Sequence, residues 1–236
     1  MGRAIQSVVF LIALGLTARG ADYAFESGPQ KAHLLELFTS EGCSSCPPAE
    51  SWLSKLKSEP GLWKDFVPLA FHVDYWDRLG WRDPFAAKEW TARQYQYAAK
   101  WKIESVYTPG FVLDGREWGE RRLPPTATEK PGLLKLSIAN GKISAEFHPS
   151  EGNIREVDLH VARLGFDLTS KVTAGENNGR NLRQDFVVLS LVNEKMIDGK
   201  AETRFPGDDA KAGAIAAWIT APDEVEPIQA VGGWLR

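Results

Sequence analysis

The chain has 236 residues, of which 43% are hydrophobic and 25% are charged, and these proportions are typical of a globular protein. A chain of this length forms one large domain or two small ones. The formal net charge of -3 gives no electrostatic reason to expect nucleic-acid binding, and the chain contains two cysteines for any disulfide or thiol chemistry.

The N-terminal residues have the pattern of a secretory signal peptide. A positive start at Arg3 precedes an apolar run at residues 8–17, and the small residues Ala18 and Gly20 follow. The apolar run is too short to span a bilayer comfortably. We therefore predict a signal peptide at residues 1–20 and a periplasmic or secreted protein. The alternative is an uncleaved segment, which is then the part of the chain that contacts a membrane.

A pair of cysteines is placed where a predicted strand meets a predicted helix. The apolar run at residues 34–38 predicts a buried strand, and turn and capping residues follow at residues 39–42. Cys43 and Cys46 come next. A C-x-x-C motif at such a junction is the sequence form of a thioredoxin-like redox site.

The two cysteines are predicted to have different roles. The thiolate is the reactive form, whereas an ordinary thiol, with a pKa of about 8.5, is mostly protonated at neutral pH. Cys43 is placed near the start of the helix, where unpaired N–H groups and the helix dipole stabilise an anion. Cys46 is placed to attack a mixed disulfide formed at Cys43. Cys43 is thus the predicted nucleophile and Cys46 the resolving cysteine.

Two other interpretations of the cysteine pair stay open. A static disulfide is one, although closing so short a loop contributes little to stability. Binding of a soft metal such as Cu(I), for which two thiolates suffice, is the other. The sequence has no second C-x-x-C motif and its four histidines are scattered, so it predicts neither a zinc site nor a cofactor.

A second apolar run, at residues 66–73, predicts a parallel strand that ends in acidic and aromatic residues. Because the carboxyl ends of parallel strands meet at one edge of a sheet, we expect this end to lie near the cysteines. Asp74 is then either a proton acceptor for the buried thiol or a turn cap. Trp76 and Trp81 are the aromatic residues expected to contact a substrate, and the other tryptophans are expected in the core.

A proline precedes the next predicted strand, at residues 111–113. Its place fits the cis-proline loop that faces the thiol pair in thioredoxin folds. We therefore expect the Thr108–Pro109 peptide to be cis and to pair with the backbone of an extended substrate. An ordinary trans turn is the alternative.

The sequence changes character near residue 130. Prolines and glycines interrupt the pattern at residues 124–132, and six segments with strand composition follow. These segments are residues 133–138, 142–147, 157–164, 186–192, 212–219 and 228–234. The absence of a convincing long helix there favours a β-sandwich-like module. The polar loop at residues 175–183 is either a surface hairpin loop or projects towards the cysteines.

Four stretches resemble, in order, the motifs of one exported family. They read LELFTSEGCSSCPPAE, FHVDYWDRLGWRDPF, SVYTPGFVLDG and GENNGRNLR. The chain is similar to the thioredoxin-like family known as domain of unknown function 1223. The resemblance implies an α/β fold, with a thioredoxin-like domain at residues 21–130 followed by a β-rich, sandwich-like C-terminal domain at residues 131–236. By the same resemblance, the thiol pair corresponds to Cys43 and Cys46, and the proline loop to Thr108 and Pro109.

Two features differ from an ordinary thioredoxin. The dipeptide between the cysteines is Ser44-Ser45, which leaves the redox direction open. Pro47 and Pro48 follow the second cysteine directly, so the regular helix is expected to begin near Pro47.

Together these observations predict an exported thiol-disulfide oxidoreductase. Its expected partners are a protein or small-molecule thiol or disulfide as substrate, and an electron-donor or electron-acceptor protein. The alternative is a module that binds a soft metal or another protein without redox turnover.

Overall fold

A computed structural model describes residues 22–119, 121–207 and 210–235. The predicted signal peptide, residues 1–20, lies outside these ranges. The described residues form two α-helices and fourteen strands. The helices are α1 (Pro47–Lys55) and α2 (Lys88–Trp101). The strands are β1 (Tyr23–Glu26), β2 (His33–Thr39), β3 (Phe66–His72), β4 (Gly110–Leu113), β5 (Arg116–Glu117), β6 (Gly132–Ala139), β7 (Lys142–Pro149), β8 (Glu156–Gly165), β9 (Leu168–Lys171), β10 (Asn181–Gln184), β11 (Val187–Ile197), β12 (Lys200–Thr203), β13 (Ala212–Thr220) and β14 (Pro227–Trp234).

Helix α1 begins directly after the second cysteine, as expected. Cys46 is its N-cap residue, and Pro47 and Pro48 occupy its first positions. Prolines are compatible with these positions because the first N–H groups of a helix have no intrahelical partner. Cys46 already has helical backbone angles, with φ -77° and ψ -38°. Its side chain therefore belongs to the first turn of α1.

Twelve of the strands form one mixed sheet. β2 and β3 are parallel neighbours in it, β4 pairs antiparallel with β2, and β11 pairs parallel with β3. β2 and β3 are buried along almost their whole length. Their carboxyl ends lie side by side at one edge of the sheet, where Thr39 is the register partner of His72.

The two helices cover opposite faces of β2, because neighbouring residues of a strand point to opposite sides. Leu37 belongs to a buried apolar cluster with Leu53 of α1. Glu36 instead forms a buried ion pair with Arg93 of α2, at 2.6 Å between Oε2 and Nε. Both helices are thereby held close to the edge at which the cysteines lie.

This topology shows that the predicted fold, an α/β thioredoxin-like domain followed by a β-rich sandwich-like domain, is wrong. Strands from both halves of the chain join in one mixed sheet, and the described residues contain two helices, of 9 and 14 residues. The halves meet where Val187 of β11 pairs with Ala70 of β3. Hydrophobic periodicity indicates which segments are strands, but it does not indicate which distant strands pair. The boundary at residue 130 stays a prediction, although strand pairing crosses it.

The six strands predicted after residue 130 are confirmed, as β6, β7, β8, β11, β13 and β14. The sequence did not predict β9, β10 and β12. β9 and β10 form a separate two-stranded sheet, and β10 lies against α1. The loop between them, residues 172–180, is therefore placed beside the first turn of α1. We refer to it as the 172–180 loop.

Candidate functional site

The two cysteines form a disulfide at the carboxyl end of β2. Their Cα atoms are 5.5 Å apart. The turn that places them is closed by backbone hydrogen bonds, from Cys43 N–H to Ser40 O at 3.1 Å and from Cys46 N–H to Cys43 O at 3.3 Å. The sulfur pair therefore lies where β2 passes into α1, as the C-x-x-C motif predicted.

Both cysteines are fully buried, at 0% exposure each. The two serines between them, Ser44 and Ser45, are exposed. Sγ of Cys43 lies 3.3 Å from the hydroxyl oxygen of Ser45. The motif is thus at the surface, but its sulfurs are covered by neighbouring groups, and any reaction at Cys43 requires those groups to move.

The proline loop lies against the first cysteine. The Thr108–Pro109 peptide is cis, as expected. The carbonyl oxygen of Thr108 lies 3.8 Å from Sγ of Cys43. The side chain of Trp76 fixes this loop, because its indole N–H donates a hydrogen bond to Oγ1 of Thr108 at 2.8 Å. Thr108 thus contacts both Cys43 and Trp76. The roles of these three residues towards a substrate stay predictions.

Trp81 and Asp74 are hydrogen-bonded to residues other than the cysteines. The indole N–H of Trp81 donates to Oε2 of Glu41 at 3.0 Å, on the segment just before the cysteines. Asp74 accepts a hydrogen bond from the Thr91 hydroxyl at 2.6 Å, and its own N–H donates to the same oxygen at 3.1 Å. Asp74 therefore ties the end of β3 to α2 through the Thr91 side chain, and its role as a cap stays a prediction. Its part in proton transfer stays a prediction.

The 172–180 loop is hydrogen-bonded to the backbone on both sides of the first cysteine. The side-chain N–H groups of Asn177 donate to the carbonyl oxygens of Glu41 at 2.8 Å and Cys43 at 2.9 Å. Asn177 is 1% exposed, and Arg180 donates to its Oδ1 at 2.8 Å. The amide of Asn177 is thus fully used. Of the two alternatives for this loop, the structure has the one that projects towards the cysteines.

Glu176 forms the second contact of the 172–180 loop. Its Oε2 accepts hydrogen bonds from the backbone N–H of Ser44 at 3.0 Å and from the Ser44 hydroxyl at 2.7 Å. These two donors lower the pKa of the Glu176 carboxyl below its ordinary value of 4.5. An ionised carboxylate is therefore bound to Ser44, the residue that follows Cys43, in the oxidised protein.

A buried ion pair lies against the segment that precedes the cysteines. Nδ1 of His72 hydrogen-bonds to Oδ2 of Asp83 at 2.7 Å, and both side chains are 0% exposed. Burial by itself lowers the pKa of the His72 imidazole, but the charge and hydrogen bond of Asp83 outweigh it and raise that pKa above 6.5. Burial also raises the pKa of Asp83, and His72 outweighs it, so that this pKa is lowered. The two groups thus favour the imidazolium and carboxylate forms.

Asp83 also fixes the segment before the cysteines. Its Oδ2 accepts a hydrogen bond from the backbone N–H of Glu41 at 2.8 Å. Among the described residues, Nε2 of His72 is buried and has no hydrogen-bond partner. This second ring nitrogen of His72 is therefore available for a further hydrogen bond.

A second buried carboxyl, Glu50, lies on α1. Its Oε1 accepts a hydrogen bond from the Thr39 hydroxyl at 2.7 Å, and its Oε2 accepts one from Nε2 of Gln184 at 3.2 Å. Burial raises the pKa of the Glu50 carboxyl above 4.5, and the charge of His72 opposes part of that rise. Elements β2, α1 and β10 meet at this carboxyl.

Sequence reasoning missed four of these residues, namely Glu50, His72, Asp83 and Asn177. Glu50 had a usable signal, because it follows Cys46 by four positions and residues so spaced share one face of a helix. Asn177 was within a loop that the sequence had singled out. The pairing of His72 with Asp83 had no local signal.

Among the residues that the structure describes, no group of three or more His, Cys, Asp or Glu side chains is arranged to hold a metal ion. Metal binding by the two cysteines alone stays a prediction. Within the same ranges, neither helix has the length and hydrophobicity needed to cross a membrane.

Comparisons with known proteins identify one family and two similar folds. Residues 34–220 match the family model described as Protein of unknown function (DUF1223). The chain is similar to the crystal structure of protein AGR_C_4864 from Agrobacterium tumefaciens, with a TM-score of 0.64 and 26% identity over 87% of this chain and 95% of that chain. It is similar in fold to HBP35 of Porphyromonas gingivalis, with a TM-score of 0.56 and 14% identity over 87% of this chain and 76% of that chain. No curated protein matches the chain.

Proposed function

The chain belongs to the DUF1223 family, whose function is unknown, and from this premise we propose that it is an exported thiol-disulfide oxidoreductase. Cys43 is the nucleophile and Cys46 the resolving cysteine. One observation carries the proposal: the disulfide lies at the start of α1, with the carbonyl oxygen of Thr108 at 3.8 Å from Sγ of Cys43. A thiolate formed at Cys43 lies near the positive end of the α1 dipole, which favours a negative charge, although Pro47 and Pro48 supply no N–H there.

The reaction is a pair of thiol-disulfide exchanges. A substrate thiolate attacks Sγ of Cys43, the bond to Cys46 breaks, and Cys46 leaves as a thiolate that takes up a proton. A second substrate thiolate attacks the substrate sulfur of the mixed disulfide and releases Cys43. The substrate is oxidised by two electrons and the cysteine pair is reduced. The same steps in reverse reduce a substrate disulfide, and an electron-acceptor or electron-donor protein restores the starting state.

The surrounding residues have positioning roles in this proposal. The backbone of Thr108 and Pro109 holds an extended substrate, and Trp76 keeps that backbone in place through its hydrogen bond to Thr108. Trp81 acts through Glu41, to which it is bonded. Asp74 is the candidate that the sequence offers for proton transfer, and its side chain is hydrogen-bonded to Thr91.

Because Cys43 is fully buried, turnover includes a movement of the 172–180 loop. Glu176 and Asn177 contribute four hydrogen bonds to the Glu41–Ser44 segment. A thiolate at Cys43 repels the Glu176 carboxylate and competes with it for the Ser44 N–H. Reduction of the pair therefore weakens the contact that covers it.

A permanent structural disulfide is the second candidate, and the burial of both sulfurs favours it. The two candidates differ in reduction potential, because structural disulfides typically lie below about -300 mV. Equilibration of the protein with thiol redox buffers measures that potential. A value below about -300 mV overturns the enzymatic proposal.

Trapping provides the direct test of the enzymatic proposal. In the Cys46→Ser variant, an attack on a substrate disulfide leaves Cys43 in a mixed disulfide that no neighbouring thiol resolves. Non-reducing electrophoresis is expected to reveal these adducts with a peptide disulfide as probe. The Cys43→Ser variant is the matched control, and it is expected to form none. Absence of adducts with Cys46→Ser contradicts the proposal.

Export is part of the same proposal, and it rests on the signal-peptide pattern of residues 1–20. Expression of the full chain in a bacterial host, followed by fractionation and determination of the mature N-terminus, tests it. A protein that stays in the cytoplasmic fraction with residues 1–20 intact contradicts it.

A further inference from the structure

We infer that Glu50 is the proton donor and acceptor for Cys46, and that the His72 imidazolium supports its ionised form. The inference rests on the proposed thiol-disulfide exchange. That exchange needs a proton at the buried sulfur of Cys46, which is 0% exposed. Water does not reach such a sulfur directly, so a buried acid close to it is required.

The helix brings Glu50 to the same side as Cys46. The backbone N–H of Glu50 donates to the carbonyl oxygen of Cys46 at 3.1 Å, which is a regular helical bond. Residues four apart in a helix have Cβ atoms about 5–6 Å from each other and lie on one face. Both residues are buried, with Glu50 at 6% exposure. An acidic group therefore lies one turn from the resolving sulfur in the protein interior.

The contacts of Glu50 suit a group that changes its protonation. Its direct partners, Thr39 and Gln184, are neutral and donate to its two oxygens. Neither partner supplies a charge that locks the carboxyl in its ionised form. Asp74 is less suited, because it is bonded twice to Thr91 and lies at the start of the segment that leads to α2.

His72 stabilises the ionised form of Glu50. Its imidazolium keeps a positive charge within electrostatic range of the Glu50 carboxyl. Nε2 of His72 has no hydrogen-bond partner among the described residues, so the imidazole has an unused donor when Glu50 loses its proton. Asp83 is the other ionisable group that acts on Glu50, and its negative charge favours the protonated form of Glu50, in opposition to His72.

A cleft connects Glu50 with solvent. It has a volume of about 580 Å³, and Glu50 lines it together with residues of α1 and β10. Its charged lining residues are Lys55, Lys57, Arg180, Arg183 and Asp185. Lys57 is held by Asp185 at 2.7 Å. Glu50 thus lies between the buried sulfur and an open, mostly basic cleft, through which it exchanges protons after each step.

The proton from Glu50 neutralises the thiolate that the disulfide exchange leaves at Cys46. When a substrate thiolate bonds to Cys43, the electron pair of the broken disulfide goes to Sγ of Cys46, and the Glu50 carboxyl donates its proton there. The resulting carboxylate is reprotonated from the cleft. In the reverse direction the Glu50 carboxylate removes the proton of the Cys46 thiol, and the thiolate formed attacks the mixed disulfide at Cys43.

Reaction of the reduced full chain with a chromogenic aromatic disulfide separates the steps. Cys43 attacks the reagent and releases a first coloured thiolate, and Cys46 then attacks the mixed disulfide and releases a second. In Glu50→Gln the first release is expected to be unchanged. The second is expected to be slower by at least about tenfold at neutral pH, since a general base typically contributes a factor of about a hundred or more.

The pH profile distinguishes proton transfer from a structural effect. Without the Glu50 carboxylate, the second release is expected to need alkaline pH, and Glu50→Asp is expected to restore part of the rate at neutral pH. Glu59→Gln, which removes an exposed carboxylate just after α1, is the matched control. If Glu50→Gln does not fold, Glu50→Asp decides: a pH profile identical to that of the unaltered protein overturns the inference.

The failures of the two proposals are distinguishable. An unaltered protein that releases no second thiolate contradicts the proposed function. An unaltered protein that releases it, with Glu50→Gln matching its rate and pH profile, contradicts only the assignment of Glu50.

Discussion

Asn177 donates a hydrogen bond of 2.9 Å to the carbonyl oxygen of Cys43, across 134 residues of sequence. The contact joins a loop of the C-terminal half to the C-x-x-C motif of the N-terminal half. It fixes the backbone of a C-x-x-C motif whose two serines are exposed and whose two cysteines are fully buried. The covering loop is held by a buried amide and by an ionised carboxylate, and these two contacts respond differently to mutation and to pH.

Asn177→Ala is expected to lower the free energy of unfolding by about 2 kcal/mol, because it leaves two buried carbonyl oxygens without a donor. It is also expected to speed reduction of the disulfide by dithiothreitol several-fold, since the loop is then less firmly held. Urea unfolding and the kinetics of reduction measure the two effects. Asn178→Ala is the matched control, because Asn178 is exposed in the same loop. Equal reduction rates in the two variants would contradict the covering role.

Glu176→Gln is expected to lower the pKa of the Cys43 thiol in the reduced protein, because a negative charge beside the thiolate is removed. The pH dependence of alkylation by iodoacetamide measures that pKa, and its midpoint is expected at lower pH in the variant. Glu151→Gln, at an exposed position far along the chain, is the control.

The Glu176 contact also has a predictable pH dependence in the oxidised protein. Because Ser44 lowers the pKa of Glu176, its stabilising contribution is present above the unfolded value of 4.5 and is lost as pH falls through the folded pKa. Reduction by a phosphine, which stays reactive in acid, is therefore expected to accelerate at low pH in the unaltered protein. The same rate in Glu176→Gln is expected to vary less with pH.

His72→Gln is expected to destabilise the protein by about 3–5 kcal/mol, because it leaves the Asp83 carboxylate buried without its counter-charge. The raised pKa of His72 means that its contribution is fully present below 6.5 and is lost as pH rises through the folded pKa. The lowered pKa of Asp83 means that its contribution is lost in acid. Urea unfolding in acid, near pH 6.5 and at higher pH measures whether stability is lost in both directions, as expected.

For His72→Gln, the fall in stability above neutral pH is expected to be smaller than in the unaltered protein. His148→Gln is the control, since the His148 side chain is 56% exposed. An unchanged pH profile in His72→Gln would show that the imidazole does not titrate as inferred.

Trp76→Phe keeps an aromatic ring but removes the N–H that holds Thr108. It is expected to cost about 1 kcal/mol of stability. If the Thr108 backbone positions a substrate, the variant raises KM for a peptide disulfide and leaves the reaction with a small disulfide unchanged. Trp118→Phe is the matched control, because the indole N–H of Trp118 has no hydrogen-bond partner among the described residues. Equal KM values in the two variants would contradict the role of Thr108.

The structural placement of the motif could be predicted from sequence where the signal was local. The C-x-x-C motif follows an apolar strand, the prolines define the start of α1, and the Thr108–Pro109 loop faces Cys43. The Asp74 assignment had two alternatives because a carboxylate after a strand suits both a cap and a proton carrier. Its bond to Thr91, 17 residues later, was beyond the range of any periodic pattern.

The sequence by itself determined the positions of the strands, the beginning of α1 and the chemistry available at the cysteines. These features depend on neighbouring residues, through side-chain periodicity and the missing N–H of proline. The tertiary structure alone decided that β11 pairs with β3, that Asn177 and Glu176 bind Cys43 and Ser44, and that His72 and Glu50 are buried. The reason is that long-range pairing and burial depend on which surfaces meet when the chain closes, and no stretch of neighbouring residues encodes that choice.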